Sequence, residues 1–194
     1  MNLKVLRLAG FFGIMAPLFG FMIIAMSVWL SPWFSWTGNA LSDLGAEGFG
    51  SVVFNSGLAM TAALLMMFSA GLLEMTKGDV VGQVGGVIHL LSAGFLLGIG
   101  ILNITIEPWH YYVGVGFFAA MPLSAIFIGL FCYRKSMRFY TLLAWGSASL
   151  AVVVWLLPWT SVAIPEALSA AYMSVWQIIL AYWMYSRKED KLVK

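Results

Sequence analysis

The chain has 194 residues, of which 62% are hydrophobic and only 9% are charged. Soluble domains carry about 25% charged residues because their surface faces water, so this composition excludes an ordinary soluble protein. The formal net charge is only +2, and the single cysteine, Cys132, excludes an intrachain disulfide.

Six apolar segments separated by turn residues predict an all-α integral membrane protein, a bundle of six transmembrane helices. A spanning helix needs about 20 apolar residues, so six of them nearly fill the chain and predict one transmembrane domain, 1–194. The predicted spans are 8–30, 51–74, 81–104, 109–133, 139–159 and 164–186. The first is longer than the apolar core of a signal peptide, so we expect it to remain attached.

Two features interrupt this regular pattern. Pro17 and Pro122 lie inside predicted spans, where they should kink the helices while neighbouring helices satisfy the freed carbonyl groups. The first loop, residues 31–50, is the longest connection, and loops of this length in compact proteins are often functional. Its polar residues around Leu44, between glycines, predict a short helix, either re-entrant or interfacial.

Positive charge is confined to one side of the predicted topology. With six spans, both termini and the second and fourth loops share a side, and that side carries every lysine and arginine. These residues are Lys4, Arg7, Lys77, Arg134, Lys135, Arg138, Arg187, Lys188, Lys191 and Lys194. Because cytoplasmic loops are enriched in Lys and Arg, we predict cytoplasmic N- and C-termini. Topology accounts for these charges, so we expect no nucleic-acid partner.

Acidic residues and a histidine collect at the predicted outer face, where no Lys or Arg is present. The polar set is Asn39, Ser42, Asp43, Glu47, Asn55, Glu107, His110 and Glu166. Carboxylates and a histidine without a basic partner are solvated, share protons or bind a cation, so a divalent metal is one hypothesis. Helix capping by Asp43 and Glu166 is the alternative. In a catalytic site, Asp43 and His110 would be the base and its partner.

His89 lies within the third predicted span, roughly 22 Å below its outer end at 1.5 Å per residue. It therefore cannot share a metal or a haem iron with His110, which argues against a bis-histidine haem. Ionisable groups within a membrane are candidates for function. A neutral imidazole can also hold helices together, and we expect this role for His89, as for Gln83 and Gln177.

Glycine pairs four residues apart in the third span, Gly82 with Gly86 and Gly94 with Gly98, predict close helix packing. We expect this packing inside one bundle rather than in a homodimer. A homo-oligomer or a complex with another membrane protein stays open as an alternative.

The motif in the first loop resembles the membrane family known as domain of unknown function 998. The residues that carry the resemblance are Asn39, Ser42-Asp43-Leu44-Gly45, Phe54-Asn55, Glu107-Pro108, His110 and Phe117-Phe118. The similarity covers nearly the whole chain, although the family often has an acidic residue where Trp109 follows the proline. The resemblance implies a six-span protein of a prokaryotic plasma membrane, and it implies no particular activity.

Three functions are compatible with these patterns. An accessory or structural membrane protein demands nothing special of the residues and is therefore the first hypothesis. A membrane-embedded enzyme acting on lipid or lipid-linked groups at the outer leaflet would use Asp43 and His110. A protein that binds or transports a small cation or an apolar molecule would use an outer vestibule, with His89 as a deeper station. Membrane lipids are expected partners in each case.

Overall fold

A computed structural model describes residues 2–188, and six of its helices are long and apolar enough to span a membrane. They are α1 (Leu3–Leu30), α2 (Gly48–Met75), α3 (Val80–Ile101), α4 (Trp109–Arg134), α5 (Arg138–Val153) and α6 (Ala163–Ser186). Two short 3₁₀ helices, η1 (Leu41–Gly45) and η2 (Val154–Leu156), complete the described elements, among which there is no strand. The prediction of an all-α bundle of six spanning helices is confirmed.

The helices form a ring in chain order, which closes where α1 packs against α6. Large apolar side chains cover the outside of this ring, among them Leu18 and Leu91, each more than half exposed. A contiguous apolar surface of this kind is unfavourable in water and suits lipid. Trp29 and Trp109, at the ends of their helices, are also exposed, as expected for the aromatic belt at a membrane interface.

The two ends of the bundle differ in charge. The end with η1, here called the η1 end, has no lysine or arginine. The opposite end, here called the basic end, holds every lysine and arginine among residues 2–188, and Arg134 there pairs with Asp79 at 3.3 Å. Lys191 and Lys194, predicted on the same side, lie outside the described residues. That the basic end faces the cytoplasm remains a prediction from charge.

Helix ends follow local chemistry. Asn2 caps α1 by accepting hydrogen bonds from Lys4 N at 3.1 Å and Val5 N at 3.3 Å, and Asp79 caps α3 by accepting from Gly82 N at 3.1 Å. Gly78 adopts a φ of 84° in the turn between α2 and α3, a conformation that glycine adopts without strain.

Most of the paired glycines of α3 serve packing within the bundle, as predicted. A Cβ atom would approach Thr76 at Gly82, Leu73 at Gly86 and Val113 at Gly98, in each case to within 3 Å. Gly94 alone of the four has no neighbour within 4 Å.

Candidate functional site

A cavity of about 120 Å³ lies inside the ring. Its wall comes from α1, α2, α3, α4, α6 and η1, whereas no residue of α5 contributes. Most lining side chains are apolar, including Leu58, Leu65, Leu96, Phe117 and Met173. The wall contains few polar groups, a composition typical of sites for small molecules.

Small residues and prolines leave this space open. Ala16, Gly20 and Ala170 line the cavity, and larger side chains there would fill it. Both prolines inside spans, Pro17 and Pro122, also lie in the wall. A proline in a helix interior removes one backbone hydrogen bond and bends the helix, so both sequence interruptions fall at the cavity.

The η1 helix covers the cavity at the η1 end. Its Leu41 and Leu44 are buried against the bundle rather than spread on the membrane surface, which refines the predicted interfacial helix. Glu166 Oε2 accepts a hydrogen bond from Leu41 N at 2.7 Å. On the opposite side, Asn55 Nδ2 donates to Gly45 O at 3.0 Å. The short helix is therefore tied to both α6 and α2.

The loop before η1 is tied to the connection between α5 and α6. Thr160 Oγ1 donates to Thr37 O and Ser161 Oγ to Trp36 O, each at 2.9 Å. Ala163 N donates to the carbonyl of Asn39 at 3.1 Å. These bonds hold the longest loop against the start of α6.

Glu166 and Ser42 both line the cavity at this end. Glu166 lies in the first turn of α6, where a negative charge is favourable, but its side chain reaches η1 rather than capping its own helix. Its other oxygen, Oε1, has no hydrogen-bond donor within residues 2–188. One carboxylate oxygen is therefore left for another partner.

The side chain of Asp43 accepts hydrogen bonds from within its own loop. Its Oδ2 accepts hydrogen bonds from Asn39 Nδ2 at 3.0 Å and from Ala40 N at 2.9 Å. This is the capping role considered from the sequence. Asp43 does not line the cavity, although its charge interacts with that of Glu166.

His110 is buried at the start of α4, and its Nδ1 donates to Leu102 O at 2.6 Å. Within residues 2–188, no hydrogen bond or ion pair joins His110 to Asp43, and neither residue lines the cavity. The catalytic pair therefore stays a prediction. Glu47 and Glu107 are exposed. In the described part of the chain, no three His, Cys, Asp or Glu residues group as a metal site would require.

Gln177 lines the cavity at its inner end. Its Nε2 donates to Gly13 O at 2.9 Å, so α6 and α1 are joined there as predicted. Sequence analysis did not foresee that Gln177 also lines a cavity. The sequence does contain a pattern that indicates it, because a polar face of α6 recurs at helical spacing through Glu166, Ser169 and Gln177.

His89 lies beside Gln177 but outside the cavity lining. Its ring is fully buried, with Nδ1 at 2.8 Å from Ser69 Oγ and Phe68 and Trp176 packed around it. The side chain of Gln177 interacts with the imidazole, although Nε2 makes no hydrogen bond of normal geometry. This environment fits the predicted role in holding α2, α3 and α6 together.

A ring of six spanning helices around a small apolar cavity defines a multi-pass membrane protein. The chain belongs to the family described as Protein of unknown function (DUF998), whose profile matches residues 14–183. The resemblance in the first loop is thus confirmed. No curated protein and no solved structure shows significant similarity to the chain.

Proposed function

We propose that this protein binds a single-chain amphipathic molecule, with the chain inside the cavity and the head group at the η1 end. The observation that carries the proposal is the distribution of polarity in the cavity. Apolar side chains form its wall, and Glu166 and Ser42 supply hydrogen-bonding groups at the end that η1 covers. This develops the binding hypothesis drawn from the sequence and makes lipid-like molecules the ligands.

The cavity dimensions favour an unbranched chain. Glu166 and Gln177, which mark its two ends, are separated by about 16 Å along α6 at 1.5 Å per residue. A cavity of this length between five spanning helices is an elongated slot. A slot accommodates one hydrocarbon chain better than a fused-ring molecule, because apolar ligands gain most when they fill the available space.

The other two functions have less support from the geometry. A path for a cation would need polar groups that continue from the cavity across the bundle, yet neither histidine lines the cavity. The enzyme hypothesis depended on Asp43, which is bound within its own loop. An accessory role demands no particular residues, and it does not account for the cavity and its polar end.

Topology gives the site its predicted location. If the basic end faces the cytoplasm, the η1 end faces the outer leaflet of the plasma membrane. The head group would then lie at the level of the outer lipid head groups and the chain would extend towards the bilayer centre. The proposed ligand would enter from, or return to, that leaflet.

Photo-crosslinking tests this proposal. The full-length protein in nanodiscs of zwitterionic lipid is incubated with dodecanol that carries a diazirine at the chain end, and crosslinked peptides are identified by mass spectrometry. We expect crosslinks at the inner end of the cavity, near Leu65, Met173 and Gln177, that excess dodecanol suppresses.

A pair of matched variants makes the test specific. Ala170→Leu adds the same side-chain volume inside the cavity that Ala119→Leu adds on the exposed side of α4. We expect the first variant to lose the inner crosslinks and the second to keep them. Crosslinks confined to lipid-facing residues and unaffected by Ala170→Leu would refute the proposal.

A further inference from the structure

We infer that the ligand head group is a protonated amine, and that Glu166 is its counter-ion. This inference rests on the proposed function and adds the chemical class of the head group. It is carried by a cavity-lining carboxylate with an unused oxygen, in an end of the bundle where residues 2–188 include no lysine or arginine.

The carboxylate of Glu166 is held in place by one hydrogen bond and can accept more. Oε2 is held by the backbone N–H of Leu41, so the side chain is oriented before any ligand arrives. Oε1 has no donor among the described residues, and a carboxylate can accept several hydrogen bonds. An ammonium group offers three donors, of which one can reach Oε1 while Ser42 on η1 lies along the same wall.

Charge at the η1 end favours a cation and disfavours an anion. The carboxylates of Glu166 and Asp43 interact electrostatically, and both hydrogen bonds that Asp43 accepts come from within its own loop. Within residues 2–188, lysine and arginine lie only at the basic end of the bundle. A phosphate or carboxylate head would thus place a further negative charge beside a carboxyl group in a poorly hydrated site, whereas buried charges require partners of opposite sign.

A hydroxyl head is the closest competitor. It can donate a hydrogen bond to Oε1, but it leaves the negative charge of Glu166 uncompensated. An ammonium group both donates a hydrogen bond to Oε1 and compensates the charge, and buried charges are stabilised by pairing with a charge of opposite sign. For molecules that carry the same chain, the structure therefore assigns the highest affinity to the amine, a lower affinity to the alcohol and the lowest to the phosphate.

Competition between three dodecyl compounds tests this order. Dodecylamine, dodecanol and dodecyl phosphate are compared at neutral pH as competitors of the dodecanol photoprobe on the full-length protein in zwitterionic nanodiscs. We expect the amine to compete at about one tenth of the alcohol concentration or less, the size expected for a hydrogen bond between charged groups. The phosphate should compete more weakly than the alcohol.

Two variants separate the site from general surface charge. Glu166→Gln keeps an acceptor oxygen for Leu41 N and removes the charge, so we expect the amine and alcohol to compete equally. Glu47→Gln removes the same charge from an exposed position at the same end, and it should retain the preference for the amine.

The possible outcomes have distinct meanings. Equal competition by all three compounds in the parent protein would overturn the amine inference and leave the proposed function intact. A preference that survives Glu166→Gln would overturn the assignment of Glu166 as the counter-ion. Failure of all three compounds to suppress the inner crosslinks would refute the proposed function itself.

Discussion

Gln177 donates a hydrogen bond to the carbonyl oxygen of Gly13, the group that Pro17 leaves without its helical donor. A residue at position 17 with an N–H group would normally bond this carbonyl, four residues earlier in α1. Proline has no N–H group. The side chain from α6 therefore replaces a backbone bond of α1, and the two helices that close the ring are joined where the cavity ends.

Replacing Gln177 should therefore lower the stability of the protein more when Pro17 is present than when it is absent. Gln177→Leu should lower the free energy of unfolding by about 1 kcal/mol, since hydrogen bonds between membrane helices contribute about 0.6–1.7 kcal/mol. In a Pro17→Ala background the new N–H group can bond Gly13, so the same replacement should cost less. Unfolding in mixed micelles of increasing SDS content measures all four proteins.

The comparison is a double-mutant cycle, which isolates the coupling between the two positions. Any loss of contact between Gln177 and His89 occurs in both backgrounds and cancels. If the changes in unfolding free energy of the two replacements are additive, the Gln177 side chain does not take the place of the missing N–H group at position 17.

Closure of the ring should depend on the absence of a side chain at Gly10. A Cβ atom there would lie 2.6 Å from both Ala181 O and Tyr185 N, two backbone atoms of α6 that cannot easily move. We expect Gly10→Ala to destabilise the protein by about 1–3 kcal/mol, the usual cost of overpacking. Thermal unfolding in detergent provides the measurement.

Gly146→Ala is the matched control for this variant. Gly146 also lies within a helix, but a Cβ atom there meets nothing within 4 Å. Because alanine favours helix by up to about 1 kcal/mol over glycine, Gly146→Ala should leave the midpoint unchanged or raise it. A similar loss of stability in both variants would show that close approach at Gly10 is not the cause.

Membrane orientation can be tested by labelling single cysteines in intact cells. Cys132 is buried and can be replaced by Ser, after which Thr37→Cys or Ser136→Cys introduces one exposed thiol at either end of the bundle. A membrane-impermeant maleimide should label Thr37→Cys and should label Ser136→Cys only after lysis, because positive charge favours the cytoplasmic side. The reverse labelling pattern would invert the topology and place the η1 end of the cavity at the inner leaflet.

The fold was predictable because length and polarity dominate in a bilayer. The predicted spans agree with the observed helices to within a few residues at most boundaries, since unsatisfied backbone groups in lipid impose long apolar helices. The largest differences are at α1, which begins at Leu3, and at the predicted fifth span, where the α-helix stops at Val153 and continues as η2. Local turns of this kind depend on packing, which hydropathy does not report.

The candidate site was predictable only in part. Sequence reasoning singled out Glu166 and Ser42 as polar residues of one face, and it recognised Gln177 as a link between helices. It could not place them around one cavity, because Leu41 and Glu166 are far apart in the chain and meet only after the ring closes. Asp43 and His110 were grouped because they share an end of the bundle, yet their hydrogen bonds lie within separate loops.

The meeting of α1 and α6 has a consequence for biosynthesis. The first helix enters the bilayer with the Gly13 carbonyl unsatisfied, and its partner, Gln177, is synthesised 164 residues later. Until then the cavity lacks the wall that α6 contributes, and η1 lacks its hydrogen bond to Glu166. A nascent chain released before the sixth segment would therefore be inserted with an incomplete cavity, so the proposed binding would require the sixth helix to have joined the first.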